Sequence, residues 1–113
     1  MASLEQDIII FKDRYHVLQF TVDGVEDLIG FEAHWAMSEN PGDSPTITKS
    51  TEGGSPKISI EGVKVLVIID EGDFSGDPAG DYYHELVLID DDGKIRQGAV
   101  GEVDLRETTW SST

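Results

Sequence analysis

The residues of this 113-residue chain able to do chemistry are three histidines, His16, His34 and His84, and two acid-rich stretches. Three converging imidazoles with an acidic partner would suit a zinc ion. Asp73, Asp77 and Asp81, at four-residue spacing in a glycine-rich segment, and Asp90-Asp91-Asp92 offer the oxygen clusters that hard cations favour. Neither stretch follows the calcium-loop pattern D-x-[DN]-x-[DN]-G, and aspartates are ordinary turn residues. The histidines fall on three expected strands, with His34 on the face opposite Trp35, so convergence with an inward His16 is not expected. There is no Gly-x-Ser-x-Gly elbow, phosphate loop or dinucleotide fingerprint. With 23 acidic residues, no carboxylate pair stands out as an acid–base couple. No catalytic, cofactor-binding or metal-ligating residue is therefore assigned, no cofactor is expected, and the chain reads as a non-enzyme.

The elements that must position these residues are strands. A 3.6-residue apolar period persists nowhere, while two-residue alternation recurs, so the chain reads as all-β with seven to nine short strands. Ile8 to Phe11 is a first strand. In Tyr15 to Val22, His16, Leu18, Phe20 and Val22 form the inward set. Phe31 to Met37 turns Phe31, Ala33, Trp35 and Met37 to one face and Glu32 and His34 to the other. Thr46 to Thr51 is a short polar edge strand, and Ile58 and Ile60 mark a half-buried one. Val63 to Ile69 is β-branched and central. Asp70 to Gly80 is the longest polar connection. Tyr82 to Ile89 leads through the Asp91-Asp92-Gly93 turn to Ile95–Gln97 and Ala99–Leu105, where Gly98 and Gly101 signal a bulge or bend. Residues 1–6 are expected to form a flexible arm, 7–109 the sandwich and 110–113 a tail. Met1 to Asp7 and Arg106 to Thr113 are expected to order only on assembly.

Composition bounds the function. A domain of this size buries roughly 65% of its unfolded surface, enough for one core. With no cysteine, disulfides, thiolate metal sites and cysteine nucleophiles are all excluded. The longest apolar runs are far too short to span a bilayer as a helix, and no signal-peptide pattern opens the chain, so a cytosolic product is expected. Eight basic residues against 23 acidic ones give a formal charge of −15. No basic face for nucleic acid or an anionic membrane can be assembled from that balance. An acidic surface that confers solubility is one reading, and adaptation to molar salt is the other. The five lysines and the even spread of acids favour the second.

The run from Pro78 to Ile89, then Asp90 and Gly93, places a tyrosine near the start of a late strand. In immunoglobulin-like sandwiches such a tyrosine, two residues before the second cysteine position, bonds its hydroxyl to upstream backbone. Tyr82 takes that place and His84 stands where the cysteine would be, with Trp35 as the central tryptophan. The expected fold is an immunoglobulin-like antiparallel β-sandwich.

Three further motifs extend the pattern: Asp7-Ile8-Ile9-Ile10 with Asp13, then Asp27-Leu28-Ile29-Gly30-Phe31, and Gly98 to Leu105. In this order, from about Asp7 to Thr109, the chain resembles the immunoglobulin-like virion domains of tailed viruses. It is similar to the N-terminal domain of phage upper baseplate proteins. The opening turn has Lys12-Asp13-Arg14 where that group often has glycine, and no helical stalk or receptor-binding domain is expected after Thr113. The resemblance implies a virion structural protein, a tail baseplate component or a capsid decoration protein. It would be assembled in the host cytoplasm, docked on other virion proteins and repeated as a homo-oligomer. Together with the acidity it implies a halophilic host. Trp110 is a candidate anchor for that interface. An alternative is a host-facing carbohydrate- or receptor-binding module, which would gather Tyr15, Tyr83 and Trp110 on one face. A host-encoded adhesion domain is a third reading, disfavoured by the missing signal peptide.

Overall fold

The computed structural model describes residues 4–52 and 56–108. Among the described residues nine strands, β1 Leu4–Glu5, β2 Ile8–Phe11, β3 His16–Thr21, β4 Glu32–Ser38, β5 Ile47–Ser50, β6 Ile58–Glu61, β7 Lys64–Ile69, β8 Gly80–Ile89 and β9 Ile95–Arg106, form two sheets. The larger runs β1-β9-β8-β4-β5, with β2 also on β9, and the smaller runs β3-β7-β6. A three-strand sheet facing a sheet built on the fourth, eighth and ninth strands, with β5 added at its edge, is the layout of an immunoglobulin-like sandwich.

The core follows from the alternation. Ala33, Trp35 and Met37 of β4 meet Leu18, Phe20 and Val22 across the sandwich, with Val65, Val67 and Ile69 from β7, all buried. β7 is central in its sheet and β5 lies at an edge, both as the composition predicts. Gly98 is the extra residue where the β8–β9 register slips from Leu86↔Ala99 to Val87↔Gln97.

Four expectations need correction. The sandwich is not wholly antiparallel, because β1 and β2 both run parallel to β9. Within the expected arm over residues 1–6, Leu4–Glu5 already pair with Ala99–Val100, and Gln6 N–H donates to Val100 O at 2.9 Å. Arg106, expected to order on assembly, already pairs with Phe11. The connection after β7 is also less polar than its composition suggests. It folds through three successive turns, Asp70–Asp73, Gly72–Ser75 and Phe74–Asp77, and buries Phe74 at 2% exposure. Lys49 of β5 ties this loop down, its Nζ 2.6 Å from Asp73 Oδ2, which also accepts Asp70 N–H at 2.8 Å.

Asp13 adopts a left-handed φ of 60° in the turn after β2. That is a conformation glycine takes at little cost and aspartate tolerates better than most residues.

Candidate interaction surface

β8 carries the local chemistry on both faces. Inward, the Tyr82 hydroxyl donates to Pro78 O at 2.7 Å, the tyrosine-corner contact expected from its position. Burial is the first cause that raises the Tyr82 pKa, and the charges of Asp77 and Glu39 add to it.

His84 is also inward, 3% exposed, with its ring 5.7 Å from Phe20 and 6.1 Å from Trp35. Trp35 Nε1–H donates to His84 Nδ1 at 3.2 Å. Indole is a donor only, so Nδ1 must be the acceptor and Nε2 carries the proton. That proton is donated to Gln6 O at 2.5 Å. Burial lowers the His84 pKa below its ordinary value, outweighing the Gln6 carbonyl and the Asp7 charge, which favour the cation. A neutral histidine with both nitrogens engaged has none left for a metal or for proton transfer. Its chemistry is structural: it links the central tryptophan to the segment between β1 and β2.

That segment lies hard against Gly101, where an added methyl would overlap the Gln6 carbonyl and press on His84 Nε2. Asp7 Oδ1 accepts Glu102 N–H at 2.9 Å, closing the same junction from the other side. Gly101 thus lets β1 and β2 approach β9.

Outward, the junction opens into a trough of about 740 Å³ on the exposed face of β9, β8 and β4. Tyr83 and Glu85 stand on β8, paired across to Glu102 and Val100, and Ser38 and Ala36 of β4 face them from the other side. The loop after β4 supplies Asp43, held by Asn40 Nδ2 donating to its Oδ2 at 3.1 Å. Five carboxylates line the trough, from Glu5, Asp7, Asp43, Glu85 and Glu102, and its lining includes no lysine or arginine.

The remaining candidates do not share a site. His16 sits beside Phe11, whose N–H donates to His16 Nε2 at 3.2 Å, whereas His34 lies outward on β4. Among the described residues no group of potential metal ligands joins two histidines. Asp73 is spent on Lys49 and Asp70, and Asp73, Asp77 and Asp81 form no ligand group there either. Asp90, Asp91 and Asp92 do lie together, but Asp90 is already occupied. Its Oδ1 accepts Asp92 and Lys94 N–H at 3.0 and 2.9 Å, and its Oδ2 pairs with Arg96 at 2.8 Å. Those contacts, Arg96 foremost, hold the Asp90 pKa below the ordinary carboxylate value. Of the aromatic trio, Tyr83 lines the trough, Tyr15 does not, and Trp110 lies outside the described residues.

No family model matches the chain, and no curated protein matches it either. Among solved structures it is similar to the extracellular domain of the voltage-gated sodium channel β4 subunit, described as parallel homodimers that explain a role in cell–cell adhesion. That match is 12% identical over 96% of each chain, with a TM-score of 0.44. A second is a structure from a photo-crosslinking study of the multimeric cell-adhesive interactions of sodium-channel β subunits. It is 11% identical over 94% of this chain and 93% of that one, with a TM-score of 0.46.

Proposed function

We propose that this domain is a non-enzymatic assembly module that binds another protein through the acidic trough on β9, β8 and β4. The carrying observation is the set of five carboxylates with no lysine or arginine among the lining residues. Such a surface attracts a basic partner, speeds encounter and repels acidic competitors. The only imidazole in the lining, His84, has both nitrogens committed, so it offers the trough no free imidazole base. The ordered motifs shared with immunoglobulin-like virion domains of tailed viruses support the finer reading. The partner is then a capsid or tail-baseplate protein with a basic docking surface. The chain is a baseplate component or decoration protein of a halophilic host's virus, assembled in the host cytoplasm. Ring symmetry repeats the domain around the particle and supplies avidity.

Mass spectrometry of purified tailed particles tests this, with wild-type chain and a Glu85→Lys/Glu102→Lys variant supplied in parallel. Both positions are exposed, and circular dichroism verifies the fold of the variant. Wild type in the particles and variant excluded is the expected result. Absence of the wild-type chain from particles overturns the virion reading. Equal incorporation of both chains overturns the trough as the docking surface.

A further inference from the structure

Farther along the outward face that carries the trough, Glu32 and His34 are two residues apart on β4. The β4–β5 ladder pairs His34 with Ser50, and Thr51 N–H donates to Ala33 O at 3.1 Å, which carries the pairing one residue further. Glu52 then falls beside Glu32, its N–H held by Ser50 Oγ at 3.2 Å. One ligand atom from each of Glu32, His34 and Glu52 lies within 4.8 Å of the other two, and His34 Nε2 is 3.7 Å from Glu32 Oε2. A tetrahedral shell with bonds of about 2.0–2.2 Å spaces its ligand atoms about 3.4 Å apart. Small rotations of these exposed side chains close that gap.

Electrostatics point the same way. Like charges brought together across two strands repel. Neither glutamate has a lysine or arginine partner among the described residues, and the His34 ring stands within ion-pair range of Glu32 alone. That ring is 39% exposed and makes no hydrogen bond among the described residues, so its nitrogen is available. One imidazole with two carboxylates is a donor set for a borderline divalent ion. Calcium and magnesium ask for six or more oxygens and gain nothing from the imidazole. A hollow lined by His34, Ser50, Glu52 and Glu85 gives access.

We propose that Glu32, His34 and Glu52 form a surface site for a divalent transition ion, with Zn²⁺ the fitting one and the remaining coordination left to water. Titration calorimetry of the full chain with Zn²⁺, at about 0.15 M salt to screen diffuse attraction, tests it. One Zn²⁺ per chain is expected. His34→Gln and Glu52→Gln should each weaken binding on the order of tenfold or more, while Asp91→Asn changes nothing. NMR of the unmutated chain provides a second readout: Zn²⁺ should shift the His34 ring resonances and leave those of His16 and His84 in place. Wild-type affinity in His34→Gln overturns the site, as does displacement of Zn²⁺ by equimolar Ca²⁺. Unmoved His34 resonances at saturating Zn²⁺ also overturn it.

Discussion

His84 concentrates the residue-scale argument. The position that a cysteine fills in related sandwiches holds an imidazole that accepts from Trp35 and donates to Gln6. Because the folded pKa lies below the ordinary value of 6.5, protonation favours the unfolded chain. The neutral ring therefore costs nothing above that value. As pH falls below it, the unfolded state takes up the proton first and stability declines. The decline is at most about 1.4 kcal/mol per pH unit for one proton, and it ends once the folded form also protonates. Glutamine can accept from the indole and donate to the carbonyl without titrating. Urea unfolding of wild type and His84→Gln from about pH 8 to about pH 5 isolates the effect. The wild type should lose stability relative to the variant below about pH 6.5, with the two curves parallel above it. Parallel curves throughout would mean that the imidazole is not held neutral by the fold. Trp35 fluorescence provides a local readout once Trp110 is replaced by Phe.

At the scale of elements, β1 and β2 depend on one glycine. A side chain at Gly101 cannot coexist with the Gln6 carbonyl at its present distance, so Gly101→Ala must push the segment off β9. Loss of the His84–Gln6 bond and of the Gln6–Val100 and Glu102–Asp7 pairings should cost about 2–3 kcal/mol. Amide exchange should show Gln6 and Glu102 losing protection while β3, β7 and β4 keep theirs. Retained protection at Gln6 would show that the segment tolerates the methyl and that the glycine serves another purpose. This attachment was the least legible part of the fold. Alternation locates β3, β4 and β6, a nearly continuous β-branched run locates β7, and Gly98 marks the bulge because a strand interior rarely accepts glycine without one. A two-residue strand in parallel pairing has too few side chains to set a period, so Leu4–Glu5 read as an arm. Phe74 was hidden likewise, a single aromatic among turn residues. The candidate metal site was half visible: alternation placed Glu32 and His34 on one face. Glu52 belonged to a turn, and only the β4–β5 register brings it to them.

Across the whole molecule the question is what a formal charge of −15 does to a body 44 × 28 × 21 Å across. The cations offer little relief at the surface, because Lys12, Lys49, Lys57, Arg96 and Arg106 are already committed to acids of the same chain. The surplus is left on the exterior, five carboxylates of it around the trough. Two effects of salt can be separated by magnitude. Screening acts through the Debye length, about 10 Å at 0.1 M and about 3 Å at 1 M. By about 1 M that length is shorter than the spacing between neighbouring carboxylates, so relief of repulsion is complete. Stability that rises with NaCl and levels off near there is the behaviour of any strongly acidic domain. A rise that continues into several molar goes beyond screening and is what hydrated cations taken up by the folded surface would add, as a chain built for a halophilic host needs. The expected result is continued gain of the urea midpoint above 1 M. Sedimentation on the same samples should show the chain associating as repulsion between copies falls. A plateau near 1 M with a monomer throughout would reduce the acidity to solubility and partner choice. On the proposed virion reading, assembly would then have to be nucleated by a basic partner docked in the trough.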